Sequence, residues 1–551
     1  MKLKKMRKSM LIILSIVMVI VIGVILSLNL IIASVLRGKI DAALEKNKTT
    51  YQVSLGGVGG NIFFGNIRLK DITIQPDSTL IGHLREGSAK ENMAIEAHIP
   101  LIRIAGIGLY DAIVNQEIDI RKLEVRKANI RLLKEEQKDE FEKEDGFNPD
   151  SIYLKNVSGI SIGSILLTDN TIELYDLVKD KQMLMNTLSE LRLSGILLQS
   201  RPGSEDVFRV VTDRFKLKIE KEEFDLPGGD YRMFFDDFEF TMSDSSLVIS
   251  QFAYKPTRDR LEIATQYKYT REIFDMSMER LELQAIHIGK FIREGAFYMD
   301  SIDIYGLHLD ILKDKRYPFN ESLRPKLIHQ AIRELDFPLY IGNAQIHESY
   351  LIYQEKEENV KEWMTVSLGE LNVSADFITS VRDSTRTGRP MMIDLKARLM
   401  EKALLQVQFA MPLNSREDTF FFSGSLGPAP FLVFNQASRP ALGAFFTGGE
   451  LHSIVFKGSA NRTHSSGEMT MLYKDLVAEV LKKDQKSKNK FLSWATNVAL
   501  RTSNPNPRGK TAVAVMEFDR VMYKGFGNFM WKTLQSGIVN TVSPTGKNVN
   551  K

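Results

Sequence analysis

One spacing constrains this chain more than any other feature: a thirteen-residue pattern that occurs five times. In the copy that opens at Ile162, apolar or small residues fall at offsets 0, 3, 5, 8, 10 and 12, with Asn170 the exception at offset 8. The same offsets give Ile120, Leu123, Val125, Ala128, Ile130 and Leu132. They give Met299, Ile302, Ile304, Leu307, Leu309 and Ile311, and then Ile341, Ala344, Ile346, Ser349, Leu351 and Tyr353. A weaker copy runs Phe64, Ile67, Leu69, Ile72, Ile74 and ends in Pro76.

Offsets 3 and 5 share one face of a strand, as do 8, 10 and 12, and the parity changes in between. A two-residue turn at offsets 6 and 7 makes 5 face 8 and 3 face 10 in an antiparallel pair. The turn residues would be Lys70-Asp71, Arg126-Lys127, Thr168-Asp169, Tyr305-Gly306 and His347-Glu348. Each copy then reads as a hairpin with one apolar side, in which Leu123 faces Ile130, Ile165 faces Ile172 and Ala344 faces Leu351. Most of these turns are not of the Asn-Gly type, so one extra residue in a bulged strand is an alternative that gives the same parity. Either way the chain makes a sheet with one apolar face.

At 551 residues the chain exceeds a single compact core, and it holds several domains or an extended repeat structure. The net charge of +4 supplies no field that would recruit nucleic acid. Cysteine is absent, which excludes disulfides, thiol catalysis and cysteine-ligated metal.

The basic tail 1–9 precedes an uncharged run, Met10–Leu36. Its length, about 40 Å as a helix, is enough to cross a bilayer with tilt. It exceeds a signal-peptide core and lacks a good cleavage site, so the expectation is an uncleaved transmembrane anchor. The basic residues before it favour an inside N-terminus with the remainder translocated. A strand-rich region then covers 40–480, and a basic, amphipathic helical region covers 481–551. Within the strand-rich region, Val53–Phe64 is glycine-rich but lacks Gly-Lys-Ser/Thr, so it reads as a bent strand rather than a phosphate loop. Lys134–Asp150 carries eight acids and three lysines and reads as a solvated loop. Residues 321–335 place Leu323, Leu327, Ile328, Ala331, Ile332 and Leu335 at helical spacing, ended by Pro338. After Lys482–Lys490, Phe491–Ala499 and Phe526–Ile538 read as amphipathic helices that pack on the sheet or meet a membrane surface.

No catalytic constellation emerges. Ser423-Gly424-Ser425-Leu426-Gly427 is not a nucleophile elbow, and His347-Glu348 lacks the second histidine of a zinc motif. No two of the eight histidines stand at ligand spacing. The sequence therefore reads as a non-enzyme with no cofactor and no metal.

The anchor, the glycine-flanked first strand and the Ile-x-x-Leu-x-Leu-x-x-Asn-x-Ile-x-Leu repeats go with three further segments. These are Leu335–Glu355, Phe446-Thr447-Gly448-Gly449-Glu450-Leu451 and Ser466–Leu476. Together they resemble AsmA-like proteins of the Gram-negative envelope, of the TamB and YhdP type, over most of residues 1–540. Arg501–Pro507 and Phe529-Met530-Trp531-Lys532 are similar to a subgroup of that family. The resemblance implies an elongated, twisted antiparallel β-sheet trough built from repeated hairpins, anchored in the inner membrane and extending into the periplasm. It implies phospholipid as ligand and a role in lipid transport to, or homeostasis of, the outer membrane. The C-terminal end would meet the outer membrane or one of its proteins. At 551 residues the chain is short for a member that bridges the periplasm alone. The lipid-lining residues expected from the repeats are Leu123, Ile130, Ile165, Ile172, Ile302, Leu309, Ile346 and Leu351. Two other classes stay open: an assembly factor that offers sheet edges to outer-membrane proteins, and an envelope scaffold whose apolar face is its own core.

Overall fold

The computed structural model describes residues 51–61, 65–86, 93–108, 117–134, 159–177, 180–200, 208–211, 215–226, 228–356, 360–381, 388–442, 444–480 and 500–549. The expected anchor Met10–Leu36, most of the acidic loop and the basic helix at 491–499 lie outside them. Among the described residues, no helix is long and apolar enough to cross a membrane. The chain divides into two compact units, 1–215 and 216–551.

Unit 1 is built on β1 (Tyr51–Asn61), β2 (Asn66–Pro76), β3 (Met93–Ile107), β4 (Glu117–Arg126), β5 (Asn129–Lys134), β6 (Gly159–Asp176), β7 (Lys181–Ser200) and β8 (Phe208–Val211), with α1 (Ser78–Arg85) between β2 and β3. Unit 2 continues with β9 (Lys216–Asp225), β10 (Tyr231–Thr241), β11 (Ser246–Pro256), α2 (Arg260–Thr265), β12 (Glu272–Gln284), α3 (Ile288–Glu294), β13 (Phe297–Tyr305), β14 (His308–Asp314), α4 (Ile328–Arg333), β15 (Leu339–Lys356) and β16 (Met364–Thr379). It ends with β17 (Pro390–Leu399), β18 (Ala403–Pro412), β19 (Phe420–Leu426), β20 (Ala429–Pro430), a 3-10 turn (Phe431–Phe434), α5 (Asn435–Leu442), β21 (Ala444–Ala460), β22 (His464–Val480), β23 (Ala514–Asp519) and α6 (Phe526–Val542).

The repeats are not hairpins, and the sheet is mixed rather than antiparallel. β4 and β5 are two halves of one strand line. Both pair antiparallel with β3, where Ile104 meets Leu123 and Ala97 meets Ile130. Both pair parallel with β6, where Leu123 meets Ile165 and Ile130 meets Ile172. β13 and β14 sit in the same way between antiparallel β12 and parallel β15. Leu123 therefore does not face Ile130, nor Ile165 face Ile172, nor Ala344 face Leu351. Each such pair lies along one line.

The parity switch is a local left-handed residue. Offset 7 has positive φ in all five copies: Asp71 (51°), Lys127 (55°), Asp169 (54°), Gly306 (60°) and Glu348 (45°). One such residue kinks the strand and shifts its side-chain alternation by one without reversing the chain. Register is kept across the kink, with Leu101 opposite Arg126 and His98 opposite Asn129.

This kink also explains why Asn170 departs from the apolar pattern. The Ala128 N–H donates to Asn170 Oδ1 at 2.8 Å, and the Leu307 N–H donates to Ser349 Oγ at 2.9 Å. Both acceptors occupy offset 8 of the second copy in a parallel pair, and both are buried. An unpaired buried N–H would cost about 1–3 kcal/mol, so the polar residue at that position stabilises the kink.

A longer module is present once in each unit. Tyr51 lies opposite Pro76, and Tyr231 opposite Pro256. The Tyr51 hydroxyl accepts from the Ile95 N–H at 3.3 Å, and that of Tyr231 from the Phe274 N–H at 3.2 Å. Asp77 caps α1 and Asp259 caps α2 through their side chains. Strands β1–β7 and β10–β16 are thus the same construction made twice.

The expected helix over 321–335 is cut to α4, and Leu323 is exposed. Pro325 removes a donor and fixes the backbone before a helix can start. At the other end α6 packs on β22 and β23, burying Phe529, Thr533 and Gly537. Thr533 shares a 2.6 Å hydrogen bond with Ser465. Of the two dispositions open for this amphipathic segment, packing on the sheet is the one seen.

Candidate functional site

Register places the apolar positions of unit 2 in rows that run across strands, beyond the repeats themselves. One row steps from Ile249 to Leu281, Ile304, Ile346, Val373, Leu395 and Val407, from β11 to β18. All seven side chains are half-buried. The row becomes fully buried only at Phe456 and Met469 on β21 and β22, within the core that includes Phe529 of α6. A row beside it contains Ile302, Ala344, Ala375 and Ile393. Contiguous half-open aliphatic surface of this kind is uncommon on a monomer unless something apolar covers it.

The eight expected lining residues divide between the units. Leu123, Ile130 and Ile165 in unit 1 are at most 2 % exposed, and Ile172 is half-buried. Ile302, Leu309, Ile346 and Leu351 in unit 2 are all half-buried. Within each unit the copies bring six of them side by side, Leu123 with Ile165, Ile130 with Ile172 and Leu309 with Leu351, whereas Ile302 meets Ala344 and Ile346 meets Ile304. Leu281, Val373, Leu395 and Val407 complete the unit 2 surface. The thirteen-residue spacing did not reach them, because their strands lack the pattern; plain two-residue alternation was their only signal.

The opposite face of the same sheet is polar. An open concavity of about 760 Å³ lies on it. Its floor includes the row Gln345, Ser374, Asp394, Gln408, Ser423, Lys457 and Glu468. Gln408 Nε2 donates to Asp394 Oδ1 at 2.8 Å, and Lys457 lies 3.9 Å from Glu468. The row carries two acids and one base among neutral polar side chains, as on the solvated side of a one-faced sheet.

Among the described residues the most buried carboxylate is Asp418, and its ion pairs are structural. Asp418 accepts from Arg462 Nε (2.9 Å) and Nη2 (2.6 Å), and Arg333 Nη2 lies 2.6 Å from its other oxygen. His329 Nε2 stands 3.1 Å from the Asp418 carbonyl. Burial pushes the Asp418 carboxyl up, but the two guanidiniums outweigh it and hold the group below its ordinary range. Among the described residues no three His, Cys, Asp or Glu side chains are placed to hold a metal ion.

The class defined by this fold and surface is a mostly-β protein with mixed sheets, a repeated module and one half-open apolar face. Comparison with protein families finds no matching family model, and comparison with curated proteins finds no match.

Proposed function

We propose that the chain is an AsmA-like envelope protein that binds phospholipid acyl chains on the apolar face of unit 2. In this reading Met10–Leu36 anchors it in the inner membrane, the bulk lies in the periplasm, and it aids lipid transport to, or homeostasis of, the outer membrane. It acts without catalysis or cofactor. The observation that carries the reading is the half-buried row from Ile249 to Val407. Covering such surface with hydrocarbon gains about 25 cal/mol per Å², and acyl chains need no directional partner.

A scaffold reading is favoured in unit 1, where the equivalent face is closed around Leu123, Ile165 and Leu167. Strand addition to clients is disfavoured at the C-terminal edge. There β23 covers β22, residues 502–504 cover Tyr473 and Leu476, and residues 547–549 cover β23.

Two adjacent residues test the proposal. Ile346 belongs to the apolar row and Gln345 to the polar one. A benzophenone side chain placed at either position in the full chain, then irradiated in native membranes, reports what lies against each face. A lipid adduct is expected at position 346 and not at 345. Equal labelling at both, or none at 346, contradicts the reading.

A further inference from the structure

The apolar face of unit 2 ends in charge. Along β14, Leu309, Ile311 and Lys313 are spaced by two and stand on one face. The flanking strands change at the same step, from Phe274 to Glu272 on β12 and from Tyr353 to Glu355 on β15. Lys313 pairs with Glu272 at 2.9 Å, and Lys315 pairs with Glu355. A third lysine arrives from far along the chain. Lys524 Nζ lies 4.5 Å from the Phe319 ring centroid, and Lys313 Nζ lies 5.7 Å from the same ring. Lys524 is half-buried, and the carboxylate that acts on it, Glu355, is already bridged by Lys315. Burial first, then Lys315, Lys532 and Lys313, push the Lys524 ammonium below the ordinary lysine range. A partly desolvated cation among other cations is costly unless an anion joins it.

We propose that Lys524, with Lys313 and Lys315, binds the phosphate of an amphiphile whose acyl chains lie along Leu309, Ile311 and Tyr353. This deepens the acyl-chain reading above and rests on it. Along β14 hydrocarbon side chains give way to an ammonium group, with the Phe319 and Tyr523 rings beside the ammoniums of Lys313 and Lys524, an order that matches an amphiphile. Lysine suits a phosphate as a compact point charge.

The test is calorimetric titration of the full chain in non-ionic detergent with three probes. These are dihexanoyl phosphatidylglycerol, dihexanoylglycerol (the same chains without phosphate) and inorganic phosphate. Lys524→Met should weaken phosphatidylglycerol binding about tenfold, the scale of one charge-assisted contact. It should leave dihexanoylglycerol unchanged, and Lys524→Arg should restore binding. If the wild type binds both lipids and Lys524→Met changes neither, the phosphate site is wrong and the apolar face stands. If the wild type binds neither lipid, the acyl-chain reading fails and this one with it. If inorganic phosphate binds as tightly as the phospholipid and Lys524→Met abolishes it, the site serves free phosphate and the amphiphile is overturned. Should Lys524→Met not fold, Lys313→Met makes the same comparison.

Discussion

Leu167→Glu should unfold unit 1, while Ile346→Glu, at the same offset of its own repeat, should leave unit 2 folded. Leu167 is fully buried between Val125 and Leu191, which are also buried. An unpaired carboxylate there has no partner and no water, and the expected loss is about 4 kcal/mol or more. Ile346 lies between Ile304 and Val373, all half-buried, where a carboxylate can hydrate. Its expected cost is below about 2 kcal/mol. Urea denaturation followed by hydrogen exchange assigns each loss to its unit. Equal costs at the two positions would remove the distinction between a closed face and a half-open one.

Asp418→Ala should cost about 2–3 kcal/mol, because it removes a fully buried carboxylate that accepts from two partly exposed guanidiniums. It also places alanine at a φ of 55°, which aspartate tolerates better. Asp418→Asn keeps the shape and removes the charge. Because the folded carboxyl sits below its ordinary range, its stabilisation is complete above about pH 4 and is lost as pH falls through the lower folded value. The stability gap between wild type and Asp418→Asn should therefore be constant near neutrality and close on acidification. A gap that widens in acid would reverse the assigned sign.

The strand content and the single apolar face were legible in the thirteen-residue spacing, because strand alternation is a property of the residues themselves. The choice between hairpin and kinked strand was not. A turn at offsets 6 and 7 and a left-handed residue at offset 7 produce the same parity. The deciding fact, parallel pairing of copies such as Leu123 with Ile165, is long-range. Asn170 held a clue: a lone polar residue in an apolar series satisfies a backbone donor on the neighbouring copy. The helix expected over 321–335 survives only as Ile328–Arg333, because apolar spacing takes no account of Pro325, which cannot sit inside a helix that starts at 321. The Asp418 cluster and the Lys313, Lys315 and Lys524 group join residues far apart in the chain, and no local pattern announces them.

Hydrocarbon on the half-open face of unit 2 is the property on which the proposed function stands or falls. The most direct measurement is paired: lipid bound per chain and the thermal unfolding transition, in wild type and in an Ile304→Glu, Ile346→Glu double variant. Lost lipid with a retained unit 2 transition is the predicted result. Unchanged lipid content with unchanged unfolding would contradict it, and so would loss of the folded state, which would make this face an ordinary core.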